Sequence, residues 1–195
     1  WLVSFLFFLS LALGGLFFVL IQYAVQGGWG IVVRRIEETI FTTLPVMAVL
    51  FLPLLLGLHD LYPWSVPGAA DHDALLRWKA PFLNVPFFLV RALLYFGIWS
   101  FIAVAYYRLS RGQDETGDPA VSARLRKFAG PCIIVLALTQ TLASVDWIMS
   151  LTPHWYSTMF GVYFFAGSFV GFIALLSVVA VGVREARLLA TVIRP

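Results

Sequence analysis

Five uncharged or nearly uncharged runs decide what this chain can fold into: about residues 1–25, 39–57, 85–108, 126–147 and 156–183. A helix crossing a hydrocarbon core about 30 Å thick needs roughly 20 mostly apolar residues. Lipid offers no partner for backbone N–H and C=O groups, so a spanning segment must be a helix or part of a closed barrel. A barrel would show short segments of alternating polarity, not continuous apolar blocks. The sequence therefore predicts an all-α, polytopic transmembrane helix bundle, with residues 1–195 as one integral-membrane domain. Composition agrees: 61% of residues are hydrophobic and 12% charged, against about 45–50% and 25% in a soluble domain. The chain begins within an apolar run and stops just after a basic stretch. It reads as part of a longer protein.

The net charge of +3 is an orientation signal and not a nucleic-acid signal, because the basic residues flank the apolar runs. Arg34, Arg35, Arg108, Arg111, Arg124, Arg126, Lys127, Arg184, Arg187 and Arg194 fall on one side, and Arg77 and Lys79 on the other. Loops 26–38 and 109–125 are thus expected on the cytoplasmic side, and loops 58–84 and 148–155 on the periplasmic or exterior side.

Local signals refine this layout. Gly14-Gly15 either admits a neighbouring helix or is a weakness that lipid tolerates. Gly27-Gly28-Trp29-Gly30 reads as a turn with an aromatic anchor, and residues 31–38 as a short amphipathic or interfacial lead-in to the second span. Pro45 and Pro53 should kink the second span. Asp71 to Lys79 suits a short surface helix, with Asp73 and Arg77 four apart as a weak pair. Residues 108–127 read as a polar connection. Pro131 falls in the first turns of the fourth span, and Pro153 forces a tight re-entry between the fourth and fifth. Gly167 and Gly171 form a G-x-x-x-G in an apolar helix, a pattern that favours close helix packing.

Most polar groups of the second half gather between Ser144 and Phe169. Trp147, Trp155 and Tyr156 among them suit headgroup depth. An ionisable group within a span is a functional candidate by default. Arg91 is the clearest, and it has two readings: it snorkels to the outer interface, or it pairs with Asp146, each keeping the other charged. Asp146 alone reads as an interfacial residue at a helix end, where its charge opposes the dipole and wants a partner. Histidine is the usual proton-exchanging side chain, yet His59 and His154 each alone suit a wet loop. Together His59, Asp60, Arg91, Asp146 and His154 make a candidate outer-side cluster for proton exchange or a quinone headgroup.

Other chemistry lacks a signal. A transmembrane haem b takes axial ligands from within the spans, whereas His59, His72 and His154 lie in or beside loops. The lone Cys132 excludes an internal disulfide, and no Walker loop, dinucleotide fingerprint or haem-attachment motif occurs. The chain is expected to bind no metal or redox cofactor of its own.

The order of motifs carries a resemblance. Trp29-Gly30-Ile31-Val32-Val33-Arg34-Arg35 is followed by Leu56-Gly57-Leu58-His59-Asp60-Leu61-Tyr62-Pro63-Trp64 and Lys79-Ala80-Pro81-Phe82-Leu83-Asn84. Then come Asp146-Trp147-Ile148-Met149-Ser150-Leu151-Thr152-Pro153-His154-Trp155 and Phe160-Gly161-Val162-Tyr163-Phe164-Phe165-Ala166-Gly167. Over most of its length the chain resembles the ActF-type membrane subunit of bacterial alternative complex III, which is similar to the NrfD/PsrC-like ActC subunit. The resemblance implies a longer, about ten-span subunit of a quinol:electron-acceptor oxidoreductase in the bacterial inner membrane. It implies iron–sulfur clusters and c-type haems in partner subunits, an ActC-like membrane partner, and a role in assembly or proton conduction. Asp146 and His154 lie in the matching string, whereas Arg91 does not. The alternatives are a purely structural membrane anchor and a secondary transporter, the latter prompted by the proline-broken spans.

Overall fold

The computed structural model describes residues 1–27, 30 and 33–185. Trp29, most of the lead-in's first residues, Arg187 and Arg194 lie outside them. Helix α1 (Leu2–Val25) is the axis of the bundle. Every residue from Leu11 to Leu16 is buried, so at that depth the helix is covered on all faces. It packs against α2 (Arg34–Phe41), α3 (Leu44–Leu50), α9 (Pro119–Trp147) and α10 (Phe160–Glu185). Helix α8 (Val85–Thr116) lies against α9 and α3. Among the described residues five segments are long and apolar enough to cross a membrane, the second being Arg34–Leu56. The chain is a multi-pass, all-α membrane protein. Helix α10 shows what faces lipid: its buried positions, Gly161, Ser168, Phe172 and Leu176, form one narrow stripe, and Val162, Tyr163, Val170 and Val178 are open.

The second span is broken into α2, α3 and α4 (Leu52–Leu56), with Pro45 and Pro53 each in the first turn of the piece they open, and the single turn α5 (Leu58–Leu61) follows it. A proline lacks the N–H that would continue the ladder but fits a first turn, where that donor is unpaired anyway. Two expectations need correction here. Residues 34–38 open an amphipathic helix, as one of the two readings has it, but they are not interfacial, because α2 packs against α1 and α10 with Glu37 and Glu38 buried. Residues 109–125 are not an open loop either. Helix α8 runs on to Thr116, Gly117 turns the chain at φ 66°, and Asp118 caps α9 by accepting from the Ala120 amide. Polar side chains do not end a helix; only the turn at Gly117 does, where positive φ suits glycine. Pro131 therefore sits inside α9.

The close helix approach also lies elsewhere. A Cβ at Gly14 would meet the Ser168 carbonyl and the Phe172 side chain of α10, and one at Gly15 would meet the Phe172 ring. A Cβ at Gly167 would meet nothing within 4 Å, and one at Gly171 only Leu11 at an ordinary 3.4 Å. The Gly167–Gly171 pattern does not make the tight contact in this chain. Gly14 and Gly15 do.

Candidate functional site

The core thickens into aromatic packing towards the end of the bundle where α8 begins and α9 ends. Phe96 stacks on Trp147 at 5.3 Å between centroids, and Trp99 lies edge-on to the same indole at 5.8 Å. The Trp99 indole N–H donates to Thr139 Oγ1 at 2.8 Å. Helix α8 starts at a fixed point: the Asn84 side chain accepts from the Phe87 amide at 2.9 Å, the usual work of an N-cap. Arg91 then falls two turns in, and Asp146 is one residue from the end of α9. The two helices are antiparallel neighbours, so both groups come to the same level.

They form a bidentate ion pair. Arg91 Nε donates to Asp146 Oδ2 at 2.7 Å and Nη2 to Oδ1 at 2.9 Å. The two side chains are 8% and 0% exposed, so Arg91 does not snorkel. Tyr95, four residues on and hence on the same face of α8, donates its hydroxyl to Oδ2 at 2.8 Å. Arg91 Nη1 donates to the Phe82 carbonyl at 3.0 Å. The guanidinium lies 4.0 Å from the Phe82 ring centroid and 4.3 Å from that of Phe87. A fork-to-fork pair, a third donor and two ring faces supply what a desolvated charge needs.

Around the pair, loop 58–84 closes over the turn after α9. Tyr62, in the loop, donates its hydroxyl to the Trp147 carbonyl at 3.0 Å. Burial, and then the Asp146 charge, push that phenol well above the usual tyrosine range, so it remains a donor. Ser150 donates to the Asp146 carbonyl, and Lys79 donates to the Pro153 carbonyl. A cleft of about 310 Å³ opens here, lined by Trp78, Phe82, Met149, Ser150 and Trp155 among others. Phe82 lines the cleft and also covers the Arg91 guanidinium. Ser150 lines it and holds the last turn of α9. The cleft is thus one side chain away from the ion pair.

The remaining candidates stand apart from it. His154 is exposed and pairs through Nε2 with Asp73 Oδ2 at 2.8 Å. His59 is exposed, its Nδ1 lying 3.1 Å from Ser65 Oγ. Asp60 is exposed and has no ion pair among the described residues. The expected Asp71–Lys79 helix is two pieces, α6 (Ala69–His72) and α7 (Ala74–Lys79), divided by Asp73. Asp73 does not pair with Arg77. It caps α7 through the Leu75 and Leu76 amides, while Arg77 donates to the Ala70 and Asp71 carbonyls. Desolvation pulls the Asp73 carboxyl upward, but the two amides and His154 outweigh it and hold the group below the ordinary aspartate value.

Sequence reasoning missed Tyr95, although its spacing from Arg91 was readable, and it missed Phe82 and Phe87, the rings over the guanidinium. It also missed a second polar cluster at the far end of the bundle. Glu37 accepts from Gln22 Nε2 of α1 at 2.8 Å. Glu38 pairs with Arg35, which also reaches Asp114 of α8. Lys127 and Asp146 are roughly 28 Å apart along α9 at 1.5 Å per residue, so the two clusters mark opposite ends of the bundle. Among the described residues no group of three or more His, Cys, Asp or Glu side chains is placed to hold a metal ion. No protein-family model matches the chain, and no curated protein matches it.

Proposed function

We propose that this chain is an integral-membrane subunit of a quinol-oxidising respiratory complex of the alternative complex III type. In this reading it works beside partner subunits that carry iron–sulfur clusters and c-type haems, in a bacterial inner membrane, with the Asp146 end facing the exterior. The observation that carries the reading is the buried Arg91–Asp146–Tyr95 triad directly behind an apolar cleft at one end of the bundle. Ligand sites are mostly apolar with a few placed polar groups, and an intramembrane charge pair commonly marks a proton or substrate pathway. In this reading the cleft lined by Trp78, Ser150 and Trp155 takes the quinol ring, with the ion pair as the proton acceptor beyond Phe82. His154 and Asp73 form an exit station at the wet surface.

Asp146→Asn tests this in the assembled complex. The amide keeps the shape and removes the charge. The expected result is lower quinol oxidation or proton release with haem content unchanged; full turnover in an intact complex rejects the proton role.

A scaffold reading has its own support. His59 and Asp60 are turned to the surface and do not join Asp146, and the ion pair ties α8 to α9. In that reading, substitutions at Asp146 remove the complex from native gels instead of slowing it.

A further inference from the structure

At the far end of the bundle the last turn of α1, the start of α2 and the first turns of α9 enclose a pocket of about 330 Å³. It is lined by Gln22, Tyr23, Arg34, Ser122 and Arg126, among others. Its two guanidiniums differ from the bundle's paired ones. Arg35 and Arg91 meet carboxylates, whereas among the described residues Arg34 and Arg126 have none within ion-pair distance. Arg34 is half-buried and rests over the Tyr23 ring at 5.2 Å. Of the nearby acids, Glu37 accepts from Gln22 through one oxygen and Glu38 pairs with Arg35, both feeling the Arg34 charge without an ion-pair contact to it, and Asp118 is turned into the cap of α9. Ser122 accepts from Gln113 Nε2 at 2.7 Å, which leaves its own proton to donate. The N-terminus of α9 adds its partial positive charge to the same side.

We propose that this pocket is a binding site for an anionic phosphate group, held by Arg34 and Arg126 with Ser122 as a further donor. Guanidinium forks match phosphate oxygens. Basic pockets between transmembrane helices at the membrane surface are the recurring sites of anionic headgroups. The volume lies at the lower end of the range of about 300–1,000 Å³ typical of small-molecule sites. The site is independent of the quinol reading, since it lies at the opposite end of α9 and shares no residue with the Arg91–Asp146 pair.

The test is native mass spectrometry of the full chain in its membrane assembly, stripped of lipid and titrated with phosphatidylglycerol, phosphatidylcholine or inorganic phosphate. Tighter retention of phosphatidylglycerol than of phosphatidylcholine is expected, reduced at least about tenfold in Arg34→Gln/Arg126→Gln, the equivalent of one hydrogen bond to a charged group. Arg124→Gln/Lys127→Gln, with the same change of net charge outside the pocket, should retain it. Ser122→Asp places a negative charge at the site on a helix turn and should abolish retention with helicity intact. Displacement by inorganic phosphate identifies a soluble phosphate as the source, and its failure identifies the lipid. Equal retention of the two lipids, or unchanged phosphatidylglycerol binding in both pocket variants, overturns the proposal.

Discussion

At one end of the bundle Asp146 gives both carboxylate oxygens to Arg91 and Tyr95. At the other, Glu37 and Glu38 are as deeply buried, yet Glu37 Oε2 and Glu38 Oε1 have no partner of hydrogen-bond geometry. The Ser110 hydroxyl lies beside Glu38 and Tyr23 without completing such a bond. The difference follows from the partners. Arg91 is 8% exposed and serves one carboxylate. Arg35 is 42% exposed, divides itself between Glu38 and Asp114, and donates to the Ser110 carbonyl at 3.3 Å. One end is stereochemically closed. The other leaves two buried carboxylate oxygens unmatched, and of its Arg35–Glu38 pair only the arginine is open to water.

The largest contrast should appear on breaking the closed end. Asp146→Ala leaves Arg91 buried without its counter-charge, a loss of about 3–5 kcal/mol when a buried pair is broken from one side. Glu38→Gln should cost less, because Arg35 keeps Asp114 and solvent. Unfolding of both variants in detergent micelles ranks them, and equal losses would erase the distinction between the ends.

A smaller effect tests the packing between them. Gly14→Ala forces a methyl group against the Ser168 carbonyl, and overpacking of this kind costs about 1–3 kcal/mol. Gly167→Ala meets open space and should be close to neutral by the same assay. The reverse order would move the close contact back to the G-x-x-x-G.

The smallest effect concerns the wet rim. Asp73 titrates below its ordinary value in the folded chain. Its contribution is therefore fully present above the unfolded aspartate value of about 3.9 and is lost as pH falls through the lower folded value. Asp73→Asn should flatten that acid limb, with a small loss of stability near pH 7 that vanishes at low pH, where the wild-type carboxyl is protonated too. A pH series of melting temperatures checks it.

How much of this was legible depended on the range of the interaction. The five spans follow from apolar run length, and the Arg91–Asp146 pair follows from two intramembrane charges at matching ends of successive helices. The proline breaks at Pro45 and Pro53 are local and were equally readable. The length of α8 was not, since Arg108 to Thr116 differ from the apolar residues before them in solvation and not in backbone preference. Gly167 was singled out by pattern, but a pattern does not say which face of α10 meets α1; that is set by Phe172 against Gly14 and Gly15. The burial of Glu37 was not legible, because nothing local shows that Gln22, fifteen residues earlier, turns towards it.

The central claim is that the Arg91–Asp146 pair does chemistry and not only packing. Replacing both partners by leucine separates the two, because an apolar exchange of a whole buried pair is often neutral or stabilising. Quinol oxidation should be measured in the assembled complex carrying Arg91→Leu/Asp146→Leu. The account predicts an intact complex with turnover lost; an intact complex with turnover at the wild-type rate contradicts it.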